Sequence, residues 1–254
     1  MDLGLKGKKV IMNGGSHGLG LASLKTFAAE GADVAFFSSD EGRVNAAAEA
    51  IDAAGQGKVF GSQLDMTDNP EGYKEWLAKA VSDLGGCDIF VHTASGSGQG
   101  ATGDWERCLD LDIKGATNAV EVLTPALDES DSGSIVMMSS TAAVETFFGP
   151  NAFNAIKAAM MTYSSQLSQA LAPQGIRVNC VTPGACEYPG GNWEMIKENM
   201  KEAYDGTLAQ MPMGRFGEPQ EVANAVVFVA SPACPYMTGA NVVVDGGFTK
   251  RVQF

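Results

Sequence analysis

Short apolar runs alternate with longer amphipathic stretches along the whole chain. Each run is rich in Val, Ile, Phe or Met and ends in small or polar residues; the runs occupy 10–12, 34–37, 59–64, 89–91, 135–138, 178–181 and 242–244. Continuous apolar strands between amphipathic helices are typical of a parallel sheet that helices cover on both faces. The pattern predicts a doubly wound α/β protein with seven parallel strands, folded as one domain over residues 1–254.

Helical periodicity is clearest at about 40–53, 69–84, 104–127 and 151–171. The irregular stretch of largest size is 184–217, which directly follows a predicted strand end. Loops at the carboxyl ends of parallel strands commonly carry ligand sites. We therefore expect segment 184–217 to form a substrate lid; a surface excursion without a function is the alternative.

The sequence VIMNGGSHGLG at residues 10–20 joins the first strand to the first helix. Gly14, Gly18 and Gly20 follow the spacing G-x-x-x-G-x-G, and glycines permit both a tight turn and close approach of a ligand. The helix that follows directs backbone N–H groups and the positive end of its dipole at one point. The motif favours binding of a phosphate or diphosphate; an ordinary glycine-rich turn is the alternative.

Composition excludes several classes of partner. The formal net charge of −13 disfavours a nucleic-acid partner, because phosphate-backbone binding depends on clustered Lys and Arg. No apolar run approaches the roughly 18 residues that a membrane-spanning helix needs. The first strand begins close to Met1, which leaves no room for a leader peptide. These features predict a cytoplasmic location with no membrane partner.

The cysteines do not form a recognisable disulfide or metal motif. They are odd in number and include no C-x-x-C pair, and no histidine lies at zinc-ligand spacing from them. We interpret them as reduced, mostly buried thiols, and predict no metal site. Cys186 is the exception, because it falls in segment 184–217 where a ligand is expected. The five positions are Cys87, Cys108, Cys180, Cys186 and Cys234.

A serine, a phenylalanine and a lysine stand at informative positions around the fifth predicted strand. Ser140 follows the strand, Phe153 lies 13 residues later, and Lys157 shares a helix face with Phe153 four residues beyond it. This skeleton resembles that of the short-chain dehydrogenase/reductase family, which has a tyrosine where this chain has Phe153.

The resemblance extends over essentially the whole chain. NGGSHGLG is similar to the family's TGxxxGxG, and RVNCVTPG, GRFGEPQEVANAVVFVASP and MTGANVVVDGG resemble its later segments. The resemblance implies an NAD(P)(H)-dependent oxidoreductase, usually a homotetramer, that transfers hydride to or from a small organic substrate.

The resemblance also implies a dinucleotide lying across the carboxyl ends of the strands. The expected contacts are Gly14, Ser16, Gly18, Leu19 and Gly20 at the diphosphate, Asp65 and Met66 at the adenine, Ala94 at the middle of the cofactor, Lys157 at the nicotinamide ribose, and Pro183 and Gly184 at the nicotinamide.

The residues at the end of the second strand give a weak indication of which nicotinamide cofactor is preferred. NAD-binding members place an acidic residue at the end of the second strand, where this chain has Ser38. NADP-binding members often have an arginine at the next position, which is Ser39 here. With neither residue present we favour NADP(H) slightly over NAD(H), with His17 and Arg43 as candidate partners of the 2′-phosphate.

Four positions depart from the family pattern. Phe153 lacks the hydroxyl that exchanges a proton with the substrate oxygen in the family. Asp112 stands at the family's asparagine, which supports a water relay to the lysine, and Asn13 stands at the threonine that begins the glycine motif. The family's NNAG after the fourth strand is His-Thr-Ala-Ser at 92–95. Four departures indicate natural divergence more than a single inactivating substitution.

The sequence is compatible with three functions. The chain is a redox enzyme with a different proton source, a protein that catalyses a non-redox step such as dehydration or isomerisation, or a catalytically silent cofactor-binding or regulatory subunit, including a Tyr-to-Phe inactivated variant. Retention of Ser140 and Lys157 favours the redox enzyme. Its substrate would be a small carbonyl compound or alcohol, an imine or an enone.

The candidate proton sources are Asp112 acting through water on Lys157, Ser140 itself, His92 and Tyr188. For three of them a structural role is the alternative: a strand-end cap for Ser140, a solvated or capping carboxylate for Asp112, and a hydrogen-bonding role for His92. An apolar or aromatic substrate site is expected from Phe153, Met160, Met161, Tyr188, Trp193 and Met195.

Overall fold

The computed structural model describes residues 1–97, 102–146 and 149–252. Within these residues one parallel sheet has the strand order β3-β2-β1-β4-β5-β6-β7. The predicted doubly wound α/β fold is confirmed. The strands are β1 (Lys9–Asn13), β2 (Asp33–Ser38), β3 (Val59–Gln63), β4 (Ile89–His92), β5 (Ser134–Met138), β6 (Arg177–Pro183) and β7 (Asn241–Val244).

The strand order reverses between β1 and β4, which are neighbours in the sheet. Connections from these two strands leave in opposite directions, so a crevice opens at their carboxyl ends, where ligands of such folds bind. The loop after β1 is the glycine motif, and the loop after β4 is the His-Thr-Ala-Ser segment.

Helices connect the strands, and several of them begin at polar caps. Asp40, Asn69 and Asn151 each accept a hydrogen bond from a backbone N–H in the first turn of the helix that follows. The helices are α1 (Gly18–Ala29), α2 (Glu41–Asp52), α3 (Pro70–Leu84), α4 (Trp105–Cys108), α5 (Gly115–Asp128), α6 (Ala152–Leu171), α7 (Asn192–Asn199), α8 (Lys201–Leu208) and α9 (Pro219–Ala230).

The core consists of two apolar layers, one on each face of the sheet. Val10 and Met12 pack in the layer that contains α1, α2 and α9, whereas Ile11 packs in the layer that contains α3, α5 and α6. Successive side chains of a strand point to opposite faces. Because both faces of the sheet are covered, residues 10–12 of β1 are all buried. This explains why the strand sequence is continuously apolar and does not alternate with polar residues.

The prediction of one regular helix over 104–127 is wrong. It consists of α4, a π-helical stretch at Leu109–Lys114, and α5. A π-helical turn accommodates one extra residue and changes which side chains face inward. Asp112, within this stretch, is fully buried.

The prediction that segment 184–217 is irregular is wrong, because the segment contains α7 and α8. The segment has a small apolar cluster of its own, in which Tyr204, Met211 and Phe216 are buried. The ring of Trp193 packs on that of Phe216 with centroids 4.6 Å apart. The segment therefore folds as a unit on top of the carboxyl ends of the strands.

None of the described helices is long and apolar enough to cross a membrane.

Candidate active site

The glycine loop is shaped by contacts between backbones. Gly14 has φ +77°. A Cβ at this position would lie 2.9 Å from the backbone N of Ala94, in the loop after β4. A Cβ on Gly20 would lie 2.2 Å from the carbonyl oxygen of Gly14. Both positions exclude any side chain, since backbone atoms cannot move aside as a flexible side chain can.

The start of α1 suits a diphosphate. This helix begins after His17 with no side-chain cap and no acidic residue in its first turn. Its first-turn N–H groups and dipole therefore remain for an anion. Gly18 has φ +53° and opens the helix without a side chain. The loop fits a dinucleotide in the place where the sequence predicts one.

Two hydroxyls and two basic side chains gather at the end of β2. The Oγ of Ser16 lies 3.0 Å from the Oγ of Ser38 and 3.4 Å from Nδ1 of His17. His17 is exposed, and desolvation by neighbouring protein atoms together with the positive charge of Arg43 lowers its pKa. Ser39 is exposed, and its carbonyl accepts a hydrogen bond from Gln63. Ser16, Ser38 and His17 are thus brought together, and Arg43 is near enough for its charge to act on His17.

The predicted adenine contacts lie at the end of β3. Asp65 is exposed, and one carboxylate oxygen accepts hydrogen bonds from the Thr67 backbone N–H at 3.0 Å and hydroxyl at 2.6 Å. The Thr67 hydroxyl bond lowers the pKa of Asp65. The Met66 side chain is buried against Gly115, so only its backbone is placed to contact a ligand.

The remaining predicted cofactor positions surround the crevice. Ala94 is buried beside the glycine loop, and Leu19 is half-buried against the core. Pro183 ends β6, and a Cβ on Gly184 would lie 2.7 Å from Cβ of Asp245. Gly184 is therefore required by close packing against the residue that follows β7, in addition to any ligand role.

Ser140 lies immediately after β5 and is half-buried. Its Oγ accepts a hydrogen bond from the backbone N–H of Ala142 at 3.2 Å, which caps a short 3-10 turn. Ser140 therefore has the strand-end capping role that was the structural alternative for it. A hydroxyl that accepts one hydrogen bond still has its O–H to donate, so a substrate contact is compatible with the cap.

Lys157 and Asp112 form a buried ion pair beside Phe153. The Nζ of Lys157 lies 2.7 Å from Oδ1 of Asp112 and donates to the carbonyl of Met138 at 3.0 Å. The other carboxylate oxygen of Asp112 accepts from the backbone N–H of Gly96 at 2.8 Å. The solvated alternative for Asp112 is wrong, and the carboxylate contacts the lysine directly.

Phe153 lies in the first turn of α6 and is half-buried. Its ring centroid is 5.7 Å from the Nζ of Lys157, close enough for a cation–π interaction. The side chain that replaces the family's tyrosine is therefore next to the ammonium that the family's lysine supplies.

His92 is fully buried at the end of β4. Its Nδ1 lies 2.7 Å from Nδ2 of Asn13, so the histidine accepts at Nδ1 and carries its proton on Nε2. Asn13 also donates to the hydroxyl of Tyr73 and accepts from the backbone N–H of Thr93. Burial lowers the pKa of His92 to about 3. The hydrogen-bonding interpretation of His92 holds for Nδ1, whereas its buried Nε2 has no hydrogen-bond partner among the described residues. A histidine that stays neutral exchanges no proton near neutral pH.

Segment 184–217 contacts both walls of the crevice. The ring of Tyr188 lies over the glycine loop, where a Cβ on Gly18 would be 2.6 Å from ring carbons. Nδ2 of Asn192 donates to the carbonyl of Ser97, in the loop after β4, at 2.9 Å. Sequence reasoning missed the Asn192 contact, for which the only local signal is the preceding glycine pair.

Several predicted substrate contacts lie elsewhere. Met160 is fully buried in the core layer under α6, so its assignment to a substrate site is wrong. Trp193 packs within the segment's own cluster. Met161 and Met195 are half-buried.

All five cysteines are free and buried, which confirms the interpretation as reduced, buried thiols. The exception made for Cys186 is wrong. Its burial, with the nearby charge of Glu221, raises the pKa of the thiol to about 12.

A cavity of about 360 Å³ lies between residues 145–146, α8 and the chain that follows β7. Its described lining includes Glu145, Thr207, Gln210 and Lys250, and does not include Ser140 or the lysine pair. This cavity is therefore separate from the residues that the sequence assigns to chemistry.

Comparisons with known proteins agree with this geometry. The family model described as Enoyl-(Acyl carrier protein) reductase matches residues 14–249. Isoepoxydon dehydrogenase patN of Penicillium expansum is 31% identical over 258 residues, covering 100% of this chain and 99% of that protein. The 3-oxoacyl-(acyl-carrier-protein) reductase FabG of Chlamydia pneumoniae is 32% identical over 254 residues, covering 98% and 100%.

A solved structure shows the same architecture. The crystal structure of L-sorbose reductase from Gluconobacter frateurii, complexed with NADPH and L-sorbose, is similar with a TM-score of 0.88 and 29% identity, covering 99% of this chain and 100% of that one. Given these matches, the seven-stranded sheet and the glycine loop, the chain belongs to the short-chain dehydrogenase/reductase family of NAD(P)(H)-dependent oxidoreductases.

Proposed function

We propose that this protein transfers hydride between NADP(H) and a small organic substrate, with Lys157 exchanging the proton that tyrosine exchanges elsewhere in the family. The substrate is a carbonyl compound or its alcohol, an imine or an enone. The observation that carries the proposal is the buried contact of 2.7 Å between Lys157 and Asp112, beside Phe153.

Three side chains act at the end of the crevice where the substrate is expected to react. The hydroxyl of Ser140 donates a hydrogen bond to the substrate oxygen or nitrogen. In reduction the ammonium of Lys157 gives the proton to the substrate, and in oxidation the neutral amine of Lys157 takes it, directly or through one water that fills the place of the missing phenol hydroxyl. Asp112 and the Met138 carbonyl hold that ammonium in position. The nicotinamide, when bound, supplies or accepts the hydride.

The other candidate proton sources are less suited to the role. His92 is fully buried and stays neutral, with a pKa lowered by burial to about 3. Tyr188 lies over Gly18, at the end of the crevice where the diphosphate is expected. Burial raises the pKa of Tyr188, which makes it a poorer acid.

The preference for NADP(H) rests on the cluster at the end of β2. Ser16, Ser38, His17 and Arg43 provide hydroxyls and positive charge, and no carboxylate occupies the position that would repel a 2′-phosphate. A related reductase is complexed with NADPH. NAD(H) remains the alternative cofactor.

The predicted lid, oligomer and location belong to the same proposal. Segment 184–217 closes over the crevice through Tyr188 and Asn192, as a lid would. The edge strand β7 is only half-buried and carries three consecutive valines, and an apolar edge of this kind favours pairing with a second copy, as the proposed homotetramer requires. A cytoplasmic location stays a prediction.

The test is nicotinamide-linked turnover with a panel of ketones, alcohols, imines and enones, for the parent protein, Lys157→Met and Phe153→Tyr. We expect the parent to act best on imines and enones, which need less help with protonation. Loss of a general acid typically lowers turnover about 10²–10⁴-fold, and we expect a fall in this range for Lys157→Met. Lys114→Met is the matched control, since it breaks an exposed lysine–aspartate pair in the neighbouring π-helical stretch.

Two results would reject the proposal. Full turnover by Lys157→Met would exclude the lysine as the proton source. Activity confined to Phe153→Tyr, with NADPH binding intact in the parent, would establish a catalytically silent cofactor-binding protein. Conversion of an added alcohol without change in nicotinamide absorbance would instead support the non-redox alternative.

A further inference from the structure

The side chain of Asn13 connects the polar groups at the ends of β1 and β4. Asn13 is the last residue of β1 and is fully buried. Its Nδ2 donates to Nδ1 of His92 at 2.7 Å and to the hydroxyl of Tyr73 at 3.1 Å. Its Oδ1 accepts from the backbone N–H groups of Thr93 at 2.9 Å and Ala94 at 3.3 Å. All four hydrogen-bonding positions of the amide are therefore used.

Two partners of Asn13 contact the residue that follows the π-helical stretch, which carries Asp112. The hydroxyl of Tyr73 donates to the carbonyl of Gly115 at 3.1 Å, and Gly115 directly follows that stretch. The ring of His92 packs on the same glycine, since a Cβ on Gly115 would lie 3.3 Å from Cε1 of His92. Asn13 therefore fixes two side chains that contact the end of the π-helical stretch.

The loop after β4 also contacts Asp112. The amide of Asn13 holds the beginning of this loop, and the backbone N–H of Gly96, further along it, donates to Oδ2 of Asp112 at 2.8 Å. Oδ1 of the same carboxylate lies 2.7 Å from Nζ of Lys157. Asn13 is thus connected to the Asp112 carboxylate by two short routes, one through the loop after β4 and one through the π-helical stretch.

We propose that Asn13, His92 and Tyr73 are positioning residues for proton exchange, because they hold the carboxylate of Asp112 against the ammonium of Lys157. All three are buried, so they act through Asp112 and not on the substrate. The inference rests on the proposed function, which assigns the proton exchange to Lys157. A displacement of about 1 Å at a reacting group can lower a rate about 100-fold. A change in this network therefore lowers kcat, whereas KM and the affinity for NADPH stay nearly unchanged.

Two variants test the network by nicotinamide-linked turnover with the same substrate panel. Tyr73→Phe keeps the aromatic ring and removes the hydroxyl between Asn13 and Gly115. Asn13→Thr keeps a hydroxyl that accepts from the loop after β4 but cannot donate to both His92 and Tyr73. We expect each to lower kcat about 10–100-fold and to change KM and the NADPH dissociation constant less than about twofold. Tyr163→Phe is the matched control, because Tyr163 packs on the same core layer and takes no part in these hydrogen bonds.

A readout that needs no substrate is the ammonium signal of Lys157 in two-dimensional proton–nitrogen NMR spectra, identified by its loss in Lys157→Arg. A variant that only loses stability keeps the signal of the native state, whereas a displaced Asp112 carboxylate changes its chemical shift. We expect the signal to move in Tyr73→Phe and Asn13→Thr, and to stay in place in Tyr163→Phe. An unmoved signal in both network variants would overturn the inference. So would a weakening of NADPH binding that accounts for the whole fall in turnover.

The double variant Asn13→Thr/Tyr73→Phe separates one network from two independent effects. Because both changes act through Asp112, we expect its kcat to be close to that of the less active single variant. Falls that multiply would indicate separate packing effects and would contradict the inference. If the Lys157 signal responds while the parent turns over none of the panel, the network positions the pair and the proposed function fails. If the parent turns over and the signal does not respond, the proposed function stands and this inference fails.

Discussion

The two ends of the crevice are built by different means. At the cofactor end, backbone contacts fix the shape, since Gly14 lies against the backbone of Ala94 and Gly20 against Gly14. At the reacting end, side chains do so, through the buried contact of Lys157 with Asp112. A shape set by backbone tolerates little change, whereas a side-chain arrangement can be replaced as a group without altering the fold.

The departures from the family pattern follow this division. Asn13 and His92 are hydrogen-bonded at 2.7 Å, and the charges of Asp112 and Lys157 act on His92. Lys157 in turn lies 5.7 Å from the ring centroid of Phe153. The four substituted positions therefore form one connected region around the lysine. Such grouping is expected of coordinated divergence in the region where we propose that the proton is exchanged.

The largest effect is expected from breaking the buried pair. Removal of one partner of a buried ion pair typically costs about 3–5 kcal/mol, because the other charge is left without compensation. We expect Lys157→Met and Asp112→Leu each to lower the free energy of unfolding by about this amount. Urea denaturation at pH 7 measures the change.

The double variant Lys157→Met/Asp112→Leu provides the control. It removes both charges, and we expect it to be more stable than either single variant. Equal loss in all three would mean that packing, and not charge pairing, determines stability at this end of the crevice.

A smaller and separate effect is expected at the cofactor end. Leucine at Gly18 would meet the Tyr188 ring, adopt an unfavourable positive φ and project where a diphosphate approaches. We expect Gly18→Leu to weaken NADPH binding about 100-fold, which corresponds to about 2.7 kcal/mol. Gly206→Ala is the control, because a Cβ at that glycine meets no atom within 4 Å. Unchanged NADPH affinity in Gly18→Leu would contradict the assignment of the loop.

How far the sequence predicts this structure depends on the range of the interactions involved. The apolar runs and the glycine motif are local signals, and they predict the sheet and the loop after β1. The π-helical stretch at Leu109–Lys114 has no such signal, because its extra residue is stabilised by the packing of α4 and α6 around it. The direct contact between Asp112 and Lys157 depends on that stretch, so the sequence indicates only a relay through water.

The structure of segment 184–217 likewise depends on contacts between residues that are distant in sequence. Its helices are short, and its aromatic residues contact one another across 193–216, so periodicity does not reveal them. Aromatic side chains after a strand end suggest a substrate wall, but Trp193 instead stabilises the segment. Burial of Cys186 likewise follows from its bridge to Gly217, which is 31 residues away in sequence.

The smallest effect concerns the connection between the two ends. Asn192 joins segment 184–217 to the loop after β4 through a hydrogen bond to the carbonyl of Ser97. A single hydrogen bond contributes about 0.5–1.5 kcal/mol, so Asn192→Ala is expected to increase opening of the segment about two- to tenfold. Limited proteolysis without cofactor is expected to cleave within 184–217 faster by that factor, while global unfolding stays unchanged. Asn199→Ala is the matched control, because its side chain bonds only to the carbonyl of Met195 among the described contacts within α7. Equal cleavage of both variants and the parent would mean that Tyr188 on the glycine loop holds the segment closed, and that the cofactor end alone controls access to the crevice.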